Sequence, residues 1–143
     1  MKYNNQLQNY RIEQQVGFLL RQANQRHTTL FIEMINDSLT PTQFSALAKL
    51  YELTACSQNM LGRHTAMDAA TIKGVIDRLK RKELVRLEMD ETDRRRLLVM
   101  LTEKGQAVIS EAIVKAIEIT NTNLAPLNAS EKRTFIELLS KLT

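Results

Sequence analysis

Across residues 68–101 the apolar spacing changes from helical to alternating, and that change limits the folds open to the chain. Ile72, Val75, Ile76 and Leu79 recur at three- and four-residue spacing, so they share one helical face. Asp68 is placed to cap that helix, its carboxylate accepting from first-turn N–H groups. Met67 and Ile72 fall at the positions that form a hydrophobic staple across such a start. Then Val85, Leu87 and Met89 alternate with Arg86 and Glu88, the period of a strand with one covered face. Leu97 to Leu101 is a second strand, apolar on both faces, and residues 90–96 join the two as a hairpin loop.

The face of the helix opposite its apolar stripe carries Ala69, Ala70, Lys73, Gly74, Asp77 and Lys80. Small residues there permit close approach to a groove floor. Thr71 and Lys73 can then meet base edges or phosphates, with Arg78 on the same helix. Taken alone, this pattern is more often a solvated surface helix. The hairpin loop shifts the balance, because Arg94, Arg95 and Arg96 at its tip are poorly explained by packing. A loop tip can enter a minor groove, where arginine senses width and negative potential. Asp93 is expected to orient the Arg95 guanidinium through a bidentate contact, with Arg94 and Arg96 on phosphates. Ahead of this unit, Ser57 caps a short helix reaching about His64. Ser57, Gln58 and Asn59 at its start are candidates for a phosphate contact, as is Thr42 earlier in the chain. His64 suits either a backbone phosphate or a solvated surface position.

The remaining chain reads as helices. Residues 1–9 are polar and expected to fray. A long helix is expected from Tyr10 to Asp37, with an apolar stripe through Val16, Leu19, Leu20, Ala23, Leu30, Phe31 and Met34. His27 falls in the centre of that stripe, which suits a hydrogen-bonded core histidine or a ligand-pocket histidine. Thr40, Pro41 and Gln43 open the next helix as N-cap, N1 and N3 of a capping box. Phe44, Leu47, Ala48 and Tyr51 form its expected buried side. Cys56 lies in the following turn. Thr102 caps a helix from Glu103 to Asn123, with Val108, Ala112, Ile113, Ala116 and Ile119 on its apolar face. Asn128 with Glu131 starts a last helix bearing Phe135, Ile136, Leu138, Leu139 and Leu142. The helices nearest both termini are too apolar to be covered by one small core, so a homodimer built from both chain ends is expected.

The run Asp90-x-x-Asp93-x-Arg95-x-x-x-Val99-x-Leu101-Thr102-x-x-Gly105 resembles the wing signature of the MarR family of winged-helix regulators, and Asp68 to Val85 is similar to its recognition helix. The likeness covers roughly residues 10–141. One departure is Glu83, where the family often has a glycine closing the recognition helix. The resemblance implies a mainly α fold with a small β-hairpin wing, a winged helix-turn-helix dimerised through N- and C-terminal helices. It divides the single domain into dimerisation helices at 10–37 and 103–143 and a DNA-binding lobe at 38–102. It also implies a cytoplasmic repressor that binds a palindromic operator in double-stranded DNA, the two recognition helices roughly 34–36 Å apart. Members sense small aromatic or phenolic molecules in a cleft between the dimer-forming helices and the DNA-binding lobe. Leu19 to Thr28 is similar to the first helix of members controlling aromatic-acid breakdown, nicotinate-pathway repressors included. By that likeness the effector is a small aromatic carboxylate, with Asn24, His27, Phe31, Phe44 and Tyr51 as candidate pocket wall. Arg21, Arg26 and Arg86 are candidates for its carboxylate.

Lysine plus arginine total 20 against 16 aspartate plus glutamate, a mild excess. Its placement says more: residues 78–96 hold eight basic side chains and five acidic ones. The single cysteine rules out an internal disulfide and suits a reducing cytoplasm, and no apolar run approaches a membrane span. Catalysis is not expected: His27 and His64 fall on separate elements, the four glycines form no phosphate loop, and no residue spacing suits a metal or cofactor. Two alternatives stand beside the ligand-responsive regulator. One is a redox-responsive regulator of the same fold acting through Cys56, although the family's oxidant sensors carry their cysteine near the start of the first helix. The other is a helical adaptor without specific DNA binding, which leaves the arginine-tipped hairpin unexplained.

Overall fold

A computed structural model describes residues 2–35 and 38–143, with side chains from residue 5 onward. Among the described residues there are seven α-helices, a short 3-10 helix and a three-stranded sheet. They are α1 (Lys2–Gln8), the 3-10 turn Ile12–Gln14, α2 (Val16–Ile35), α3 (Pro41–Leu53), β1 (Ala55–Ser57), α4 (Gln58–His64), α5 (Ala69–Arg81), β2 (Val85–Met89), β3 (Leu97–Leu101), α6 (Glu103–Asn123) and α7 (Ala129–Ser140). The chain separates into two compact units, one of residues 1–34 with 119–143 and one of residues 35–118. No described helix is long and apolar enough to cross a membrane.

In the 35–118 unit the sheet is antiparallel in the order β1-β3-β2. The hairpin pairs Val85 with Leu101 and Met89 with Leu97. Leu47, Leu50, Leu61, Ile72, Ile76, Leu79 and Val99 are almost completely buried, so the apolar face of α5 lies in the core as its spacing predicts. Both expected capping boxes form: Thr40 with Gln43 at the start of α3, and Asn128 with Glu131 at the start of α7. Thr102 caps α6, its Oγ1 accepting from the Gly105 N–H at 2.9 Å.

Four sequence expectations are corrected. The first long helix begins at Val16, not Tyr10, because Arg11 and Gln15 are extended and Gln15 supplies the first carbonyl of α2. Residues 2–8 are helical rather than frayed. The expected extension to Asp37 lies outside the described residues. Cys56 sits in β1 paired with Val99 rather than in a turn. The buried face of α3 runs through Gln43, Ala46, Leu47 and Leu50, leaving Phe44 half-buried and Tyr51 exposed. The apolar face expected for α6 holds, with Ala112 and Ile119 buried and Val108, Ile113 and Ala116 half-buried, and Ile109 joins it.

In the terminal unit, Phe31 and Ile119 are buried, and the Arg26 guanidinium donates to the Thr122 carbonyl at 3.1 Å, tying α2 to α6. Much apolar surface stays uncovered. Leu7, Val16, Leu19 and Leu138 are exposed, and α7 buries no residue at all.

Candidate nucleic-acid interface and ligand groove

The geometry of residues 57–81 follows from caps and one tight turn. The Ser57 hydroxyl accepts from the Met60 N–H at 3.3 Å and starts α4. The helix ends where Thr65 donates its hydroxyl to the Leu61 carbonyl at 2.6 Å. Ala66 then takes a positive φ of 54°, and the Met67 N–H returns to the Gly62 carbonyl at 2.9 Å. Gly62 allows α5 to come close: a Cβ there would stand 3.0 Å from the Met67 oxygen and 3.1 Å from the Ile72 side chain. Asp68 Oδ1 accepts from the Thr71 N–H at 2.8 Å, and this backbone bond leads the contacts that hold its carboxyl below the usual range.

The outer face of α5 is open. Ala69, Ala70, Thr71 and Lys73 are exposed. Lys73 Nζ lies 3.1 Å from Asp77 Oδ2, so its charge has an exposed partner one turn away. Gly74 is half-buried beneath Arg78; a Cβ there would stand 3.3 Å from the Arg78 guanidinium. Arg78 therefore lies back along its own helix.

The wing differs from expectation in which acid holds which arginine. Asp93 Oδ1 accepts the backbone N–H of Arg95 at 3.0 Å, as an Asx turn does, and does not hold its guanidinium. The ordering carboxylate is Asp90, which is buried at the loop base. It accepts from the Thr92 hydroxyl at 2.7 Å and the Thr92 N–H at 2.9 Å, and its other oxygen lies 3.0 Å from Arg96 Nη2. The Thr92 hydroxyl, then the Thr92 N–H, hold the Asp90 carboxyl below the usual range, and Arg96 adds to them. Arg96 is thus committed to the loop base, while Arg94 and Arg95 stand exposed at the tip. The spacing Asp90-x-Thr92 is an Asx-turn pattern, the one signal in the sequence that pointed to this arrangement.

Thr42 is exposed at the start of α3, where its hydroxyl lies 3.3 Å from that of Thr40. Gln58 is half-buried and Asn59 exposed on the first turn of α4. His64 is exposed at its end beside Arg63.

A separate groove of about 370 Å³ lies within the terminal unit. From α2 it takes Leu20, Ala23, Asn24 and His27, and its opposite wall includes Leu124, Phe135 and Leu139. His27 is exposed, so the reading of a core histidine is corrected; its ring faces Phe31 at 6.5 Å between centroids. Of the candidate ligand residues, this groove brings together Asn24 and His27. Arg21 instead lies over the Phe18 ring at 5.5 Å. Phe31 is buried. Phe44, Tyr51 and Arg86 belong to the 35–118 unit, where Arg86 pairs with Glu88. Phe135 and Leu139 were legible in the sequence as a helical pair four apart, but nothing there matched them to α2. Among the described residues no group of three or more His, Cys, Asp or Glu is placed to hold a metal ion.

A capped helix presented beyond a tight turn, followed by a hairpin with free arginines at its tip, defines a winged helix-turn-helix. Comparison with known proteins agrees. Residues 39–97 match the model of the MarR family. The transcriptional repressor NicR of Pseudomonas putida is 42% identical over 134 residues, covering 93% of this chain and 85% of the relative. A probable transcriptional regulator from Pseudomonas aeruginosa is 49% identical with a TM-score of 0.88, covering 93% and 100% of the two chains. Bordetella bronchiseptica BpsR, whose DNA binding is regulated by 6-hydroxynicotinic acid, is 42% identical with a TM-score of 0.87, covering 93% and 96%. The chain belongs to the MarR family of transcriptional regulators.

Proposed function

We propose that this protein is a homodimeric repressor that binds a palindromic operator and is released by a small aromatic carboxylate. The observation that carries the reading is the exposed outer face of α5, small at Ala69 and Ala70 and polar at Thr71 and Lys73, followed by a wing whose Arg94 and Arg95 have no acidic partner in their own loop. In this reading Thr71 and Lys73 meet the major groove, Arg95 enters the minor groove, and Arg94 holds a phosphate. Thr42, Ser57, Gln58, Asn59 and Arg78 supply further phosphate contacts. Residues 38–102 form the reading lobe. The helices at 10–37 and 103–143 pair two copies, which the uncovered apolar side chains of α2, α6 and α7 support.

The effector occupies the groove beside His27. Its walls are largely apolar, which suits an aromatic ring, and Asn24, His27, Thr120 and Asn123 are the polar groups that can fix a carboxylate or ring nitrogen. The likeness to NicR and BpsR supports an acid of the nicotinate type. Release requires that the acid favour a spacing of the reading heads other than the DNA-bound one.

The test is a gel shift on palindromic DNA across a salt series, with and without 6-hydroxynicotinic acid. Specific retardation that weakens steeply with salt, because phosphate contacts release counterions, and that the acid reverses is expected. The His27→Ala variant is expected to bind DNA normally and ignore the acid. Sequence-blind binding by the wild type refutes the repressor reading, and an unaltered acid response in His27→Ala refutes the groove.

A further inference from the structure

The recognition helix ends on a residue tied in three directions. Lys82 closes α5 with its own N–H on the Arg78 carbonyl at 3.1 Å. Its carbonyl accepts from Lys104 Nζ, on the first turn of α6, at 3.1 Å. Its ammonium turns to the start of α3, donating to the Ser38 carbonyl at 3.1 Å and to Gln43 Oε1 at 3.0 Å.

Gln43 makes the arrangement informative. It is 3% exposed, one of two buried polar or charged side chains among the described residues. The capping box uses Oε1 for the Thr40 N–H at 3.3 Å, a task a glutamine at N3 performs equally well in solvent. Burial of the carboxamide adds a desolvation cost that the charge-assisted bond from Lys82 offsets. The pair therefore fixes the far end of α5 against the start of α3.

We propose that Lys82 is a positioning residue for DNA recognition, setting the angle of α5 through Gln43 and Ser38 rather than by touching DNA. The inference rests on the DNA-binding reading of α5. A competing role for a lysine at this helix end is a phosphate contact, and the two differ in what they predict. A phosphate contact strengthens binding to every sequence and adds about one to the salt slope. A positioning residue strengthens specific binding and leaves sequence-blind affinity and its salt slope unchanged.

The experiment compares wild type, Lys82→Met, Gln43→Leu and the double variant on operator and on unrelated duplex, across a salt series. The expected result is about a tenfold loss of operator affinity in Lys82→Met, the order of one charge-assisted bond. Affinity for unrelated duplex is unchanged, and the salt slope is kept. Gln43→Leu, which alters no charge, reproduces the loss, and the double variant loses no more than either single one. Gln43→Leu also serves alone should Lys82→Met not fold. Equal losses on both duplexes with a salt slope reduced by about one overturn the inference in favour of a phosphate contact. Unchanged operator affinity in either single variant overturns it as well. A wild type without operator preference overturns the DNA-binding reading itself, a result distinct from these.

Discussion

Glu83 holds a conformation that its side chain disfavours, and replacing it with glycine should stabilise the protein. After α5, the Glu83 N–H returns to the Lys80 carbonyl at 2.9 Å and the Leu84 N–H to the Leu79 carbonyl at 3.0 Å. This is a Schellman closure, with Leu79 and Leu84 both buried. It requires a left-handed residue at its centre, and Glu83 has φ 60°. A side chain there costs about 1–2 kcal/mol. Glycine removes that cost but loses more backbone freedom on folding, returning about 0.5–1 kcal/mol. The net expectation for Glu83→Gly is about 0.5–1 kcal/mol of added stability, a rise in Tm of about 2–4 °C for a chain of this size. Glu83→Ala is the control. It removes the same carboxylate from the helix end but keeps the Cβ, so the difference between the variants isolates the backbone. Both are measured by urea and thermal unfolding at one protein concentration, because assembly makes Tm depend on it. An alanine variant as stable as the glycine variant would refute the reasoning.

Asp90→Asn provides a test by sign. In the proposed DNA-binding role, removing an acid from the wing strengthens binding if only charge matters, whereas loss of the clasp on Thr92 and Arg96 releases the wing tip; weaker operator binding is expected in filter binding, and tighter binding counts against the clasp. Because the Asp90 carboxyl is held below the usual range, its contribution is complete at neutral pH and lost only as pH falls through that depressed value. Operator affinity from pH 6 to 8 should therefore show no titration from this residue (about three units above an ordinary aspartate at mid-range). Burial pushes the Cys56 thiol above its ordinary value, so it stays protonated at neutral pH. Alkylation by iodoacetamide should be several-fold slower in the folded protein than in urea, with operator binding unaltered by mild peroxide; peroxide-sensitive binding restored by reductant would revive the redox reading.

What the sequence disclosed was whatever depends on near neighbours. The capping boxes at Thr40 and Asn128, the Asp68 cap, the buried stripe of α5 and the alternation of β2 are each written within a few residues. Features decided by distant partners were hidden. β1 is three residues long and exists because Cys56 and its neighbours pair with β3, more than forty positions away in the chain, so no local periodicity announces it. The α3 stripe was misread by about one residue because Gln43, polar yet buried, owes its place to Lys82. At the wing, the sequence shows which acids and arginines are close, but the loop turn chooses the pairs. Asp93 is consumed by a backbone N–H, which leaves Arg96 to Asp90. His27 falls within an apolar stripe, yet much of that stripe is not covered by its own chain.

The junction between α5 and α6 has a mechanical consequence. The Thr102 hydroxyl donates to the Glu83 carbonyl at 2.6 Å, the Thr102 N–H to the Leu84 carbonyl at 3.1 Å, and Gly105 lies so close to that same carbonyl that a Cβ would be driven into it. The two helices are geared together there. A rotation of the start of α6 is therefore expected to carry the end of α5 with it, with no transmission through the hairpin, and any side chain at position 105 would break that coupling.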